Sequence, residues 1–370
     1  MTTKIRVGVI FGGRSGEHEV SLESARSVIA NLNPEKYEIT QIGIDHSGRW
    51  FSGEDVLSAL FSGSTQGLTH VTLLPEMGLK TLFALEPSCE IHPYSQLDVI
   101  FPVLHGTFGE DGTIQGLLEL AGFAYVGAGV LGSAVGMDKG LFKAVMQAYQ
   151  LPVLPSMIFT RKRIESNLEE VVNTCKQISA FPLFCKPANL GSSVGITKIN
   201  SHSDLVEGLL EAARFDRRIL VEKGLDNPIE IEVSVLGNDS PAASLPGEVI
   251  PGDDFYTYNA KYLADTSKLI IPAALPAEVT EQIRTYAVQV YKAMDCAGMA
   301  RVDFLIDRLS QQVFISEVNT IPGFTRISMY PKLWEATGLS YPALIEKLID
   351  LALERQADRE HTVYEYRRIG

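Results

Sequence analysis

Short apolar runs alternate with amphipathic stretches along the first third of the chain. Residues 5–11 (IRVGVIF) form a β-branched apolar run suited to a buried strand, and Gly12-Gly13 breaks it. Residues 21–32 predict a helix with Ser21 as its N-cap. Strands are predicted at 37–44 and at 97–104 (LDVIFPVL), the latter ending at His105-Gly106. A helix over 114–121 and a short strand over 124–127 follow. This βαβ rhythm predicts a parallel sheet with ligand groups at the carboxyl ends of its strands. Apolar alternation within 65–93 (Val71, Leu73, then Leu79, Thr81, Phe83, Leu85) predicts an inserted β-hairpin. The uncharged stretch 120–137 contains five glycines. It is shorter than the ~20 apolar residues of a membrane span and reads as buried turns and a short strand.

The pattern then changes. Residues 138–150 predict a helix closed by Pro152 and Pro155. An α+β region runs to about 223: helix 166–178, strand 182–186, a glycine-serine loop, strand 195–199, helix 203–213 and strand 218–223. A strand-rich region follows (230–236, 268–271, 299–306, 312–318), with helices from Glu278 and from Tyr341. The last of these, 341–353, has two possible homes, the core or a neighbouring molecule. The fold class is therefore α/β and α+β.

Composition narrows the classes. The 370 residues are 45% hydrophobic and 21% charged, so the chain is globular. With Lys+Arg 32 and Asp+Glu 45 the net charge is −13, which argues against nucleic acid or anionic membrane as partner. The four cysteines (89, 175, 185, 296) form no C-x-x-C pair and read as reduced thiols. No signal peptide is expected at the N-terminus, and the expected location is the cytoplasm.

Four regions carry candidate chemistry. Gly12–Glu19 (GGRSGEHE) lies between a strand and a helix; it suits either an anion-binding loop or a tight βα turn with a solvated acidic face. Gly191-Ser192-Ser193-Val194-Gly195, beside Lys186-Pro187, offers small residues, amides and hydroxyls to a triphosphate. It also spells G-x-S-x-G, but a hydrolase elbow needs a helix directly after it, and 196–199 reads as a strand. Arg301-Val302-Asp303 and Glu317-Val318-Asn319 lie on two strands joined by a turn near 308–311. Strand alternation puts Arg301 with Asp303, and Glu317 with Asn319, on one face each. Two carboxylates and an amide oxygen converging there suit Mg²⁺ shared with substrate phosphates. The stretch 252–268 has three tyrosines and a phenylalanine and reads as a lid.

With these residues in place, the sequence resembles the D-alanine–D-alanine ligases of the ATP-grasp superfamily across nearly its whole length. The carriers are FGGRSGEHEVSLESA (11–25), VLHGTFGEDGTIQG (103–116), MDK (137–139), KPANLGSSVGITK (186–198), VEKGL (221–225), FYTYNAKY (255–262), RVDF (301–304) and SEVNTIPGFTRISMYP (316–331). The resemblance implies an ATP-grasp fold behind an N-terminal Rossmann-like domain, divided as 1–127, 128–223 and 224–370. It implies ATP-driven joining of two D-alanines for peptidoglycan precursor synthesis, with ATP and two Mg²⁺ (or Mn²⁺) as cofactors, and a homodimer. By resemblance, Lys139, Lys186 and the loop with Ser192 and Ser193 contact the phosphates, and Lys261 belongs to the cofactor-binding set. Glu222, Lys223 and Leu225 line the adenine pocket, Glu230 takes the ribose, and Asp303, Glu317 and Asn319 hold the metals. Glu17 meets the first D-alanine's ammonium, with His105 nearby. Arg301 and the Gly323 amide stabilise an oxyanion, and Ser328 with the Met329 amide receives the second D-alanine. Glu17, Ser192 and Tyr262 form a hydrogen-bonded triad, and a tyrosine at 262 favours an amine acceptor over D-lactate. The alternatives are an ATP-grasp ligase with other substrates and a catalytically silent nucleotide-binding protein.

Overall fold

Strand β1 (Ile5–Gly12) turns Val7, Val9 and Phe11 to one face and Ile10 to the other, and all four are fully buried. In the computed structural model, which describes residues 4–191, 194–250 and 268–364, this strand is central to an eight-stranded sheet. After β1 come α1 (His18–Asn31), β2 (Tyr37–Ile44), β3 (Trp50–Ser52), α2 (Val56–Phe61), β4 (Thr69–Leu73), β5 (Thr81–Leu85), β6 (Ile91–Gln96), β7 (Val99–Val103), α3 (Thr113–Leu120) and β8 (Ala124–Tyr125). The sheet order is β6-β5-β4-β3-β2-β1-β7-β8. Strands β2, β1, β7 and β8 are parallel, as the βαβ rhythm predicts.

The inserted hairpin expected within 65–93 is present as the antiparallel pair β4–β5, and β6 extends it to a meander joined to the same sheet through β3. One expectation for this region changes. Helix α1 starts earlier than predicted, because Ser21 does not cap it. The Ser21 hydroxyl instead accepts from the Gly12 amide at 2.7 Å and donates to the Val103 carbonyl, stitching β1 to β7.

The middle of the chain forms α4 (Val130–Met137), α5 (Lys139–Ala148), β9 (Ser156–Thr160), α6 (Arg161–Ser166), α7 (Leu168–Cys175), β10 (Leu183–Pro187), β11 (Thr197–Ile199), α8 (His202–Phe215) and β12 (Arg218–Lys223). Its sheet is antiparallel in the order β11-β10-β12-β9. The uncharged stretch read as turns contains α4; its buried positions are the small residues Gly132 and Ser133 while the apolar Val130 and Leu131 are exposed, so it shows no amphipathic period. The helix predicted over 166–178 is the shorter α7, and α6, which the pattern does not predict, precedes it and meets it at Asn167.

The last part comprises β13 (Ile229–Gly237), β14 (Ala242–Ala243), β15 (Gly247–Ile250), β16 (Lys268–Ile270), α9 (Ala277–Ala293), β17 (Gly298–Ile306), β18 (Val313–Asn319), α10 (Met329–Ala336) and α11 (Tyr341–Arg359). Its sheet runs β16-β15-β13-β17-β18, with β14 beside β13. Helix α11 packs on the core: Leu344, Ile345, Leu348 and Ile349 join Val9, Phe11 and Phe101 of the first sheet and Phe324, Tyr330 and Trp334 of the last part. This shared apolar core fixes the first sheet against the loop and helix that follow β18, a large favourable burial. All four cysteines are free thiols, three of them buried. Among the described residues, no helix is long and apolar enough to cross a membrane.

Candidate active site

The strands of the last sheet build one wall of a cleft of about 1050 Å³. Strand β17 buries Val302, Phe304 and Ile306 in the core and leaves Arg301 and Asp303 facing the cleft. Strand β13 does the same with Glu230 and Glu232, and β18 with Glu317 and Asn319. Register brings these side chains together: Asp303 is paired with Glu317 on one side and Glu232 on the other, and Arg301 with Asn319. Arg301 grips Asp303 through two bonds of 2.7 Å and lies 3.1 Å from Glu232. The Asn319 amide donates to Asp303 at 3.1 Å. The hairpin expectation of the sequence thus holds, and Glu232 is an addition. Its position two residues after Glu230 on a strand was a legible signal, since i and i+2 share a face.

The opposite wall is the middle sheet. Strand β10 buries Leu183 and Cys185 in its own core and presents Phe184 and Lys186 to the cleft; β12 presents Glu222 in the same way. Glu222 lies across from Phe184 in register, and its carboxylate is paired with Lys186. A second lysine, Lys143 of α5, lies 2.7 Å from the other oxygen. Burial alone would push this carboxyl up, but the two ammoniums overcome that and hold it down at about 2. Burial alone would lower Lys186, yet Glu222, Glu317 and Glu230 raise it. Lys186 therefore stands between the two walls, within electrostatic reach of β13 and β18. Lys143 is absent from the set of residues expected from sequence, although it follows Lys139 by one helical turn.

Lys139 opens α5, whose cap, Asp138, accepts from the amides of Gly140 at 3.0 Å and Leu141 at 2.8 Å. Asp138 is also tied to Arg218 and to Asn189. Lys139 Nζ donates to the Leu190 carbonyl at 2.7 Å, so the start of α5 holds the loop that leads into Gly191. Lys223, Leu225 and Glu230 line the same end of the cleft. Ser192, Ser193, Lys261, Tyr262 and all of the predicted lid but Lys268 lie outside the described residues.

The far end of the cleft is made of loops. Glu17, buried at the start of α1, faces Gly106 and Gly191; a Cβ at Gly191 would sit 2.8 Å from its carboxylate. Gly106 has φ +71, a conformation that suits glycine. His105 lines the cleft, but both ring nitrogens are engaged. Nδ1 donates to the Ile321 carbonyl at 3.0 Å, and Nε2 lies 3.0 Å from the Ser24 hydroxyl. Burial pushes its pKa down to about 4, so the ring is neutral at pH 7. His105 thus anchors the 321–324 turn in addition to forming cleft wall. Glu110, also missed from sequence, accepts from the Gly106 amide at 2.8 Å and the Ile321 amide at 3.1 Å. Burial first, and then Glu17, push its carboxyl up to about 8. Gly323 lines the cleft. Ser328 and Met329 stand beyond it as N-cap and first residue of α10, with the Ser328 hydroxyl 2.8 Å from that of Thr325.

A fit to a divalent cation can be judged from the donors themselves. Among the described residues no group of three or more His, Cys, Asp or Glu side chains is arranged to hold a metal. Asp303, Glu317 and Asn319 supply two carboxylates and one amide on adjacent strands. That incomplete hard-oxygen set fits a Mg²⁺ whose remaining ligands are phosphate oxygens and water.

Comparison with known proteins gives a consistent result. Residues 6–128 match the family model described as D-ala D-ala ligase N-terminus, and 145–350 match D-ala D-ala ligase C-terminus. A D-alanine--D-alanine ligase of Acetivibrio thermocellus is 49% identical over 370 residues, covering 97% of this chain and 98% of the relative. Among solved structures, a D-alanine-D-alanine ligase from Coxiella burnetii superposes with TM-score 0.82 at 36% identity, covering 96% of each chain. A VanG D-Ala:D-Ser ligase from Enterococcus faecalis gives the same TM-score and identity, over 95% of this chain and 100% of that one.

Proposed function

The chain belongs to the D-alanine–D-alanine ligase family, with its ATP-grasp fold, and on that footing we propose how its cleft performs the family's reaction. The enzyme is an ATP-dependent ligase that joins two D-alanines into a peptidoglycan precursor. The single observation that carries the residue assignments is the placement of Glu317, in register with Asp303, within electrostatic reach of Lys186 across the cleft.

A carboxylate is a poor acyl donor because oxide would have to leave. A carboxylate oxygen of the first D-alanine therefore attacks the γ-phosphorus of ATP, the bond to the β–γ bridging oxygen breaks, and ADP departs from an acyl phosphate. Lys139 and Lys186 neutralise charge on the phosphates during this transfer, with Lys261, Ser192 and Ser193 of the glycine loop assigned beside them by motif. Glu222, Lys223 and Leu225 hold the adenine, and Glu230 the ribose hydroxyls. Asp303, Glu317 and Asn319 would hold two Mg²⁺ (or Mn²⁺), which supply Lewis-acid neutralisation of the phosphate oxygens.

Glu17 pairs with the ammonium of the first D-alanine. The amine of the second, deprotonated, attacks the acyl carbon. The tetrahedral oxyanion is stabilised by Arg301 and the Gly323 amide, and phosphate leaves as the C–O bond breaks. The second substrate's carboxylate is received by Ser328 and the Met329 amide, where the free N–H groups at the start of α10 favour an anion. Tyr262 and Ser192 complete a triad with Glu17, and the segment 252–268 excludes water from the acyl phosphate. We place the enzyme in the cytoplasm as a homodimer, divided as 1–127, 128–223 and 224–370.

Phosphate release from ATP, run in parallel with D-alanine, L-alanine, D-serine and D-lactate, tests this reading. The expected order is D-alanine first, D-serine weaker, and L-alanine and D-lactate near background. Preference for D-serine would move the assignment toward the acceptor named for the Enterococcus faecalis structure. Nucleotide binding without phosphate release under any condition would contradict it.

A further inference from the structure

One buried cation beside the cleft has no part in the reaction just described. Lys143 lies in α5, its side chain 4% exposed, with Nζ 2.7 Å from Oε2 of Glu222. Oε1 of the same carboxylate is paired with Lys186, whose side chain is 17% exposed. Two ammoniums thus share one buried carboxylate, and the group carries one excess positive charge. A structural pair would need only one of them.

The excess makes sense once Lys186 has to serve the nucleotide. A lysine that turns to the phosphates loosens its hold on Glu222. With no other partner, that carboxylate would be left buried and unneutralised, which is strongly unfavourable. Lys143 sits on the far oxygen, deeper than Lys186, and does not itself line the cleft. We propose that Lys143 is a positioning residue that keeps Glu222 neutralised while Lys186 engages the nucleotide phosphates, so that nucleotide binding strands no buried anion. The proposal rests on the phosphate role assigned to Lys186.

A double-mutant cycle read by calorimetric titration of ADP with Mg²⁺ tests it on the full chain. Lys143→Met should weaken ADP binding by about tenfold or more, since Lys186 becomes the sole partner of a buried carboxylate. In a Glu222→Gln background, where no charge remains to neutralise, the same change should cost less than about twofold. Lys143→Arg should bind ADP close to wild type, and the KM for D-alanine should be unchanged throughout. A lysine that merely supports the fold would lower thermal stability but show the same loss of affinity in both backgrounds. If Lys143→Met fails to fold, the comparison of Lys143→Met/Glu222→Gln with Glu222→Gln alone decides: matching affinities support the proposal, a tenfold gap overturns it. ADP affinity of Lys143→Met equal to wild type also overturns it. Lys186→Met separates the two failures. If it leaves ADP affinity unchanged, the phosphate assignment itself is wrong; if it weakens binding while Lys143→Met does not, only the role of Lys143 falls.

Discussion

Two glutamates, Glu222 buried and Glu110 half-buried, stand at opposite ends of one cleft and are driven in opposite directions. Glu222, at the proposed nucleotide end, is held at about 2. Glu110, at the proposed amino-acid end, is pushed up to about 8. Burial raises both, so burial does not explain the difference. Glu222 faces two ammoniums, whereas Glu110 faces Glu17 and is met by two backbone amides. The nucleotide end is thus a charge-matched pocket between sheet strands and a helix. The amino-acid end is a set of loops distant in sequence, sewn together by backbone hydrogen bonds and a neutral histidine. The first arrangement suits a polyanion. The second suits a small zwitterion.

Substitutions at and between the two ends test this division. The largest effect is expected at the proposed metal position between them: Glu317→Gln should lower kcat by about 100-fold and raise the Mg²⁺ needed for half-maximal rate. Unchanged turnover at low Mg²⁺ would remove Glu317 from the ligand set. Next, Ser328→Ala should raise the KM for D-alanine about tenfold, the worth of one hydrogen bond to a carboxylate, with ADP affinity unaltered. A parallel loss of nucleotide affinity would show that the two ends are not separable.

A smaller effect concerns stability against pH. The raised carboxyl of Glu110 contributes stability that is full below its ordinary 4.5 and is lost as pH rises through about 8. The depressed Glu222 contributes the reverse, present above 4.5 and lost as pH falls through about 2. His105, lowered from 6.5 to about 4, also favours the fold at higher pH and has made its full contribution by 6.5. The interval from 6.5 to 8 therefore isolates Glu110. Melting temperature should fall across it in the wild type and stay nearly flat in Glu110→Gln. Identical slopes in the two proteins would show that Glu110 does not titrate there. The smallest effect is expected from Tyr262→Phe, which should raise use of D-lactate relative to D-alanine a few-fold; an unaltered ratio would separate Tyr262 from acceptor choice.

The same contrast decides how much of the site was legible in the sequence. Strand alternation alone placed Arg301, Asp303, Glu317 and Asn319 on cleft-facing positions, because a buried core on one face leaves no freedom in register. Lys186 and Glu222 were reached as well, through motif resemblance. Lys143 escaped because a lysine on an amphipathic helix ordinarily belongs to its wet face. Glu110 and Ser24 escaped because their partners, Ile321 and Phe324, lie more than 200 residues away. Ser21 misled as a helix cap for a related reason: its hydroxyl is spent on tertiary bonds to β1 and β7, which no local pattern reveals.

Catalysis in this cleft turns on transfer of phosphate to a substrate carboxylate, and isotope transfer measures that step directly. D-alanine labelled with ¹⁸O in its carboxylate, incubated with the wild-type enzyme, ATP and Mg²⁺, should pass one labelled oxygen to the inorganic phosphate for each D-alanyl-D-alanine formed. Dipeptide appearing alongside unlabelled phosphate would contradict the acyl-phosphate route and, with it, the parts proposed for Lys139, Lys186 and Arg301.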